Sequence, residues 1–237
     1  MDATSGTEEV LAARDLYRFY RSGGEETLAL RGVSLELPRG ETLAVIGPSG
    51  SGKSTLLACL AGLDEPDGGC VYVGGERVSH RPEGERARLR ARRIGVLLQS
   101  GNLLPHLDLG TNILLARSAA RTARTPSRRE DVGELLDQVG LSGRRRALPR
   151  ELAGGERARA GLAVALANDP DVLLADEPTG ELDGSTEGRI LDLLRDRSRR
   201  GTGILLVTHS RQAVRIADRV IALRDGRIRP WTPPTSW

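Results

Sequence analysis

A short glycine-rich segment is the part of this sequence best suited to chemistry. Its residues are Gly47, Pro48, Ser49, Gly50, Ser51, Gly52, Lys53, Ser54 and Thr55. In a G-x-x-x-x-G-K-[ST] spacing, glycines let backbone N–H groups turn toward phosphate oxygens, and the lysine ammonium reaches the β and γ phosphates. Lys53 is the only lysine in a chain with 35 basic residues. A guanidinium is too wide and too rigid to replace it there, so the segment predicts a phosphate-binding loop.

The flanks of this loop match what such a motif needs. Residues 42–46 form an apolar run typical of a buried strand, and residues 54–61 are typical of a helix that stops at Gly62. A helix N-terminus adds unpaired N–H groups and partial positive charge where phosphates would lie. Ser54 is placed to offer its hydroxyl to Mg²⁺. The alternative, a Gly/Ser-rich turn without a ligand, explains the spacing but not its flanks.

A second candidate element is an apolar run, residues 172–175, that ends in Asp176 and Glu177. A buried strand that carries an aspartate at its tip can complete the Mg²⁺ shell of a phosphate site. Because side chains alternate along a strand, Glu177 points elsewhere and can face an attacking water. A plain acidic turn is the alternative. Asp176 lies 123 positions after Lys53, so we expect a sizeable insertion between the two motifs.

The composition is that of an ordinary globular protein, with 38% hydrophobic and 28% charged residues and a net charge of +3. The longest apolar runs fall short of the ~18 residues that a membrane-spanning helix needs. The first residues are polar and acidic, unlike a secretory signal, so we expect a cytosolic chain. Cys59 and Cys70 have neither metal-ligand spacing nor the pattern of a disulfide framework.

Strand-like and helix-like segments alternate, which predicts an α/β fold with a mostly parallel sheet. We expect the early strands to form a separate antiparallel layer, and a helical subdomain to be inserted into the core. The predicted strands are residues 33–37, 42–46, 71–73, 94–98, 172–175, 204–207 and 220–223, and the clearest further helices are 128–139 and 154–168.

The motifs that come after the phosphate-binding loop have a fixed order along the chain. They are Gln99 after the strand at 94–98, the run Leu152, Ala153, Gly154, Gly155, Glu156, the acids Asp176 and Glu177, then Asp183, and finally His209 after the strand at 204–207. In this order the chain resembles the ATP-binding subunit of an ABC transporter, from about Val10 to Arg229. The resemblance implies a P-loop NTPase core with an antiparallel β layer and an inserted helical subdomain, the ABC ATPase fold.

The resemblance also predicts how the chain divides. We expect one ABC ATPase domain over residues 1–237, with the nucleotide-binding core and β layer at 10–98 and 169–229. The helical subdomain would span 99–168, and residues 230–237 would form a tail rich in proline and tryptophan. The sequence around Tyr20, Asn102 and Thr179 is similar to the branch that serves lipoprotein release, macrolide efflux and cell division.

The family's pattern implies a role for each matched residue. Tyr20 would stack on adenine, although the neighbouring aromatics Tyr17 and Phe19 are better explained as strand residues. Residues 47–55 would hold the phosphates, and Ser54, Gln99 and Asp176 would hold Mg²⁺. Glu177 would be the general base. His209 would contact the γ-phosphate, whereas His80 and His106 have no such support.

The resemblance further implies partners. Two ATPase subunits would close head to tail, so that Ala153, Gly154 and Gly155 of one contact the ATP of the other, and Asp183 would link the two sites. A separate transmembrane subunit would be driven from the inner face of the cell membrane, with its contact near residues 99–107. No nucleic acid is expected as a partner.

The run at 152–156 departs from the family's usual Leu-Ser-Gly-Gly-Gln, because Ala153 replaces the serine and Glu156 the glutamine. A lost hydrogen bond to a charged group costs about 1.5 to 3 kcal/mol, so we expect slow turnover. In a homodimer both sites would be affected; in a heterodimer, only one.

Two further features leave alternatives open. The arginines Arg86, Arg88, Arg90, Arg92 and Arg93, and those at 144–146, could bind nucleic acid or anionic lipid, but a solvated helix face paired with Glu83 and Glu85 is favoured. The tail that carries Trp231 and Trp237 could pack on its own domain, pack on a partner or stay disordered.

Two other functions are alternatives to that of a transporter's ATPase subunit. An ABC protein of DNA repair or translation would carry a second cassette, a coiled-coil insertion or zinc-binding cysteines, and the sequence has none of these. A regulatory module would clamp ATP with little hydrolysis and signal to a membrane partner.

Overall fold

The computed structural model describes residues 8–22, 25–99, 102–120 and 131–232. The strands in these ranges are β1 (Glu9–Ser22), β2 (Glu25–Pro38), β3 (Thr42–Ile46), β4 (Gly68–Val73), β5 (Glu76–Arg77), β6 (Ile94–Leu97), β7 (Val172–Asp176), β8 (Gly203–Val207), β9 (Arg219–Arg224) and β10 (Arg227–Arg229). The helices are α1 (Lys53–Leu60), α2 (Glu83–Arg93), α3 (Leu109–Ala119), α4 (Val132–Gln138), α5 (Gly154–Leu166), α6 (Gly184–Arg199) and α7 (Arg211–Ile216).

The larger sheet has six strands in the order β10-β9-β3-β8-β7-β6. All neighbours from β9 to β6 are parallel, and only β10 runs antiparallel to β9. Strand β8 lies between β3 and β7, with Val207 paired to Val45 on one side and to Asp176 on the other. Both faces of this sheet are covered, which explains the continuous apolar runs of its central strands.

A smaller sheet of four antiparallel strands, in the order β2-β1-β4-β5, forms the expected second layer. Together the two sheets confirm the predicted α/β architecture. Apart from Tyr17 and Phe19, strand β1 was not predicted, because charged residues such as Arg14 and Asp15 interrupt its apolar pattern. The pairing of β1 with β2 shifts register near these residues, and Asp15 has a φ of 49°. A bulge of this kind breaks the period-two alternation by which strands are recognised.

The helices agree with their predictions to within a few residues. Helix α1 begins one residue earlier than expected, α5 ends two residues earlier, and α4 covers the second half of the predicted 128–139. Residues 128–130 of that prediction lie outside the described ranges. Helices α3, α4 and α5 all fall within residues 99–168, the segment expected to be a helical subdomain. The boundaries of that subdomain stay a prediction.

Two hydrophobic cores lie on opposite faces of the larger sheet. Val172 and Leu174 of β7 belong to the core shared with α1 and the smaller sheet. Leu173 and Ala175, which alternate with them, belong to the core shared with α3, α4, α5 and α6. Among the described residues, no helix combines the length and the apolar character that crossing a bilayer requires.

The two cysteines are placed as small core or near-surface residues. Cys59 is buried and Cys70 is half-buried, and neither forms a disulfide. Burial raises the pKa of the Cys59 thiol to about 12.

The arginines of α2 are paired with acidic side chains. Arg86 pairs with Glu65 and Glu83, and Arg90 pairs with Glu83 at 3.0 Å. Arg92 and Arg93 both contact Glu76, at 2.7 and 2.8 Å. Four of the five arginines therefore have carboxylate partners, which favours the ion-paired helix face over a binding surface for nucleic acid or lipid.

Candidate nucleotide site

The carboxyl ends of β3, β6, β7 and β8 meet at one edge of the larger sheet, as they must in a parallel arrangement. A cleft of about 500 Å³ opens at this edge. It gathers most of the predicted site residues: Tyr20, Ser49, Gly50, Gly52, Lys53, Ser54, Thr55, Gln99, Asp176, Glu177 and His209. Residues up to 206 positions apart in the chain thus line one cavity, with Tyr20 and Gly226 as the extremes.

The phosphate-binding loop connects β3 to α1 and holds its lysine in place. The Lys53 ammonium donates to the carbonyl oxygens of Gly47 and Pro48, at 2.8 and 2.9 Å. Burial lowers the pKa of Lys53, and the charges of Asp176 and Glu177 oppose that shift. The side chain lies beside the cleft, where its ammonium can neutralise phosphate oxygens.

Two glycines of the loop sit where no side chain fits. A Cβ at Gly47 would lie 2.2 Å from the carbonyl oxygen of Leu223, and one at Gly52 would lie 2.4 Å from that of Ala29. Gly52 has a φ of 100° and immediately precedes the first residue of α1. The loop thus packs against β2 and β9 through its backbone.

Ser54, at the start of α1, and Asp176, at the end of β7, bring two oxygen ligands together. The Ser54 hydroxyl donates to Asp176 Oδ2 at 3.1 Å. Among the described residues there is no cluster of three or more His, Cys, Asp or Glu side chains that could hold a metal alone. A hydroxyl and a single carboxylate suit a cation that takes its other ligands from phosphate and water, which is how Mg²⁺ is usually held.

Glu177 and His209 face each other where β7 and β8 end. Glu177 Oε1 lies 3.7 Å from His209 Nε2. Glu177 Oε2 accepts from the Thr208 hydroxyl and from the His209 backbone N–H, both at 3.3 Å. Glu177 has a φ of 50°, in the left-handed region, and its own N–H donates to the carbonyl of Val207 at 2.8 Å. This unusual backbone conformation turns the carboxylate toward the cleft.

A sequence model of the family described as "ABC transporter" matches residues 30–180 of the chain. The chain belongs to the ABC transporter family. Its place in the family makes it an ATP-binding subunit, and ATP hydrolysis is the reaction of the family. The predicted ABC ATPase fold is confirmed by solved structures: the dimeric bacterial cassette MJ0796 superposes with a TM-score of 0.86 at 33% identity, over 93% of this chain and 97% of that one.

Curated relatives support the predicted branch of the family. The lipoprotein-releasing ATP-binding protein LolD of Pseudomonas syringae pv. tomato is 43% identical over 220 residues, covering 92% of this chain and 96% of the relative. The methionine import ATP-binding protein MetN of Thermobifida fusca is also 43% identical, over 92% of this chain and 68% of the relative. A second MJ0796 structure, a dimer bound to ADP and Pi, has a TM-score of 0.85.

Residues 152–156, which we call the signature segment, lie outside the cleft that holds the phosphate-binding loop. Ala153 is the N-cap of α5, and Gly154 and Gly155 form its first turn. The Glu156 carboxylate accepts from the Ala153 N–H at 3.0 Å and, mainly through this bond, has a lowered pKa. Glu156, which replaces the usual glutamine, therefore helps to cap the N-terminus of α5.

A second carboxylate lies beside the same helix end. A Cβ at Gly154 would lie 2.8 Å from Glu181 Oε2, so this acidic group packs against the glycine backbone. Asp183, two residues on, caps α6: it accepts from Ser185 N–H and Thr186 N–H at 3.1 and 3.0 Å, and bonds with these two residues lower its pKa. None of these residues lines the cleft.

Three of the predicted loop residues also lie outside the cleft lining. Gly47 and Pro48 line a neighbouring cavity beside Trp231 and His209. Ser51 is buried on the inner side of the loop.

Of the predicted tail, only residues 230–232 fall within the described ranges, and Trp231 lies beside the phosphate-binding loop. Trp237 lies outside those ranges.

The cleft also has lining residues that sequence analysis missed, among them Thr27, Arg31 and the turn Asp225-Gly226. Gly226 accepts from the Arg31 N–H at 2.8 Å, and its own N–H donates to the Ser51 carbonyl at 3.1 Å. The β9–β10 turn therefore supports the phosphate-binding loop from one side. The dipeptide Asp-Gly between two strands is a hairpin signal, but nothing in the sequence says which loop the hairpin touches.

Proposed function

We propose that the cleft binds Mg-ATP and that this chain hydrolyses it within a dimer to drive a separate transmembrane subunit. The observation that carries the proposal is the convergence of Lys53, Ser54, Asp176, Glu177 and His209 on one cavity at a parallel sheet edge. A phosphate group in this cavity would face an ammonium, backbone N–H groups and the N-terminus of α1. These are the groups that phosphoryl transfer requires for positioning and charge neutralisation.

Each residue has a distinct task in this proposal. Lys53 and the N–H groups of the loop bind the phosphates, while Tyr20 stacks on the base. Ser54, Asp176 and Gln99 would hold Mg²⁺, which supplies charge neutralisation at the phosphates when bound. Glu177 accepts a hydrogen bond from the attacking water and takes its proton, and Thr208 and His209 hold the carboxylate in place.

The position of the signature segment supports a composite site. Ala153, Gly154 and Gly155 present a helix N-terminus on a different surface from the cleft of the same chain. A second subunit is therefore needed to bring that helix end to the phosphates. The dimeric cassettes at 31% and 33% identity are consistent with such an arrangement. In a homodimer both sites would lack the serine hydroxyl, and in a heterodimer one site would.

A groove between the core and α5 supports a contact with the transmembrane subunit. It has a volume of about 450 Å³ and lies beside Leu98, Gln99, Leu103 and Arg157. Gln99 lines both this groove and the nucleotide cleft, so it can link nucleotide binding to a partner in the groove.

We propose that the chain sits peripherally on the inner face of the membrane. Relatives are named for lipoprotein release and for methionine import, so we assign the choice of cargo to the membrane subunit.

A second candidate function is favoured by the signature segment. Ala153 has no hydroxyl to offer a phosphate, and Glu181 brings negative charge to the same helix end. Both features oppose fast turnover. They suit a regulatory module that clamps ATP, hydrolyses it slowly and transmits a conformational signal to a membrane partner.

The Glu177→Gln variant tests the primary proposal. Loss of the general base should slow ATP hydrolysis by about 10² to 10⁴ and leave binding intact, so that dimers accumulate in Mg-ATP. Size-exclusion chromatography with light scattering measures this, with EDTA as the Mg²⁺-free control. Strictly monomeric behaviour, alone and with co-purified partners, would refute the dimer.

ATP turnover measured with and without a co-purified membrane protein separates the transporter from the regulatory module.

A further inference from the structure

The ring of Tyr20 is held by an arginine on its own strand. The guanidinium of Arg18 lies 4.8 Å from the centroid of the Tyr20 ring. Arg18 and Tyr20 are two positions apart on β1, and both side chains donate to the carboxylate of Asp64. One face of the ring is therefore covered by a cation. The ring is 40% exposed and lines the nucleotide cleft.

Two aspartates fix this arginine. Arg18 donates to both carboxylate oxygens of Asp64, at 2.8 and 2.9 Å, and to Asp67 at 3.1 Å. The Tyr20 hydroxyl donates to Asp64 at 2.7 Å. The paired donation from Arg18 to Asp64 fixes the guanidinium in orientation as well as in position. We call Arg18, Tyr20, Asp64 and Asp67 the tyrosine clamp.

The charge states of these groups agree with this geometry. Burial by itself raises the pKa of Asp64, but the hydrogen bonds from Tyr20 and Arg18 outweigh it, so the pKa lies below its ordinary value. Burial and the bond to Asp64 raise the pKa of Tyr20. At neutral pH the clamp therefore holds an ionised arginine, an ionised aspartate and a neutral tyrosine.

The tyrosine clamp joins β1 to the segment that follows α1. Asp64 follows the C-terminus of α1, the helix that begins at Lys53. Asp67 also accepts from the backbone N–H of Phe19 at 2.8 Å, which ties β1 to the same segment. The ring of Tyr20 is thus fixed relative to the helix that carries the phosphate-binding lysine.

We propose that Arg18 is a positioning residue for nucleotide binding: through the tyrosine clamp it holds the Tyr20 ring at the angle and distance at which a purine base stacks. This inference rests on the proposed function. Arg18 acts through Tyr20 rather than by touching phosphate, so its loss weakens contacts with the base alone. A ring that must be ordered at each binding event gives a lower affinity than one already in place.

The test compares two ligands on the purified full chain. Arg18→Met should weaken ATP binding roughly three- to tenfold, the range of a typical aromatic stacking contact. Binding of inorganic tripolyphosphate, which has no base, should be unchanged. Arg21→Met is the matched control: Arg21 lies on the same strand, its side chain is 85% exposed, and it makes one ion pair with Glu26 at 3.2 Å. That variant should bind both ligands as the wild type does.

A double-mutant cycle with Tyr20→Ala makes the test specific. Arg18→Met should add no further loss of ATP affinity when Tyr20 is already absent. Equal weakening of ATP and tripolyphosphate, or unchanged ATP affinity, would overturn the proposal. If Arg18→Met does not fold, Arg18→Lys is measured in the same way. It keeps the charge but not the paired hydrogen bonds, so an ATP-specific loss is expected and unchanged affinity would overturn the role. A wild-type chain that binds neither ligand would instead refute the proposed function.

Discussion

Glu177 Oε1 lies 3.7 Å from Nε2 of His209, across the gap between the ends of β7 and β8. The same carboxylate accepts from the His209 backbone N–H through its other oxygen. His209 is 64% exposed on the cleft side, whereas Glu177 is 19% exposed. The imidazole is therefore the outer member of the pair, free to reach a phosphate, and the carboxylate is the inner member, held for proton transfer.

From this relationship we expect His209→Ala to separate binding from hydrolysis. Turnover should fall roughly a hundredfold, the cost of removing one preorganised donor from a reacting charge. ATP affinity should change little, because Lys53 and the loop remain. Steady-state turnover and equilibrium ATP binding measure the two effects. His80→Asn is the control, since His80 bonds to the Gly69 carbonyl, away from the cleft. A parallel loss of affinity and turnover in His209→Ala would contradict this role.

Replacing Ala153 of the signature segment by serine should change two measurable properties, the rate of ATP turnover and the stability of the fold. Ala153→Ser should raise turnover roughly ten- to a hundredfold by restoring a hydrogen bond to a charged phosphate. It should also stabilise the fold by about 1 kcal/mol, because Ala153 is the N-cap of α5 and serine caps helices well.

Ala153→Gly separates these effects. Glycine is nearly as good an N-cap as serine but has no hydroxyl. Stability should rise in both variants and turnover only in Ala153→Ser, as measured by denaturant unfolding and by phosphate release. Equal turnover in the serine variant and the wild type, with its partner present, would count against a phosphate contact at this position.

Glu181 should weaken dimer closure. Its carboxylate lies against Gly154 at the N-terminus of α5, where the partner's phosphate would bind, and like charges repel. Glu181→Gln should tighten the Mg-ATP dimer about two- to fivefold at low salt, the size of a charge effect at a helix end. The gain should shrink as salt is added.

Analytical ultracentrifugation in Mg-ATP measures this change. Asp192→Asn is the matched control, because Asp192 is a 74% exposed carboxylate on α6 that pairs with Arg195. An equal effect of both substitutions would mean that net charge rather than the position of Glu181 governs dimer affinity.

The two glycines Gly50 and Gly52 should differ in their tolerance of a methyl group. Both have positive φ, 78° and 100°. A Cβ at Gly52 would lie 2.4 Å from the Ala29 carbonyl oxygen, whereas one at Gly50 meets nothing within 4 Å. Gly52→Ala should therefore lower the free energy of unfolding by about 2 kcal/mol more than Gly50→Ala. Chemical denaturation measures the difference, and equal losses would show that φ alone accounts for the cost.

The motifs, their order and the class of fold could be predicted from the residues alone. The G-x-x-x-x-G-K-[ST] spacing, the apolar run before Asp176 and the histidine after β8 are local patterns, and parallel strands place their ends at one sheet edge. The apolar runs of β3, β7 and β8 were predicted because both faces of these strands are buried. Strand β1 was not, since its pattern is broken by charges and a bulge.

Which residues lie beside these motifs depends on how separate elements pack together in three dimensions. The tyrosine clamp joins β1 to the segment after α1, and the pairing of Tyr20 with Asp64 spans 44 positions. The packing of Glu181 on Gly154 and of Gly226 on Ser51 likewise depends on how separate elements meet. Such contacts leave no period or spacing in the chain, because their geometry is set by packing between elements rather than by the backbone within one.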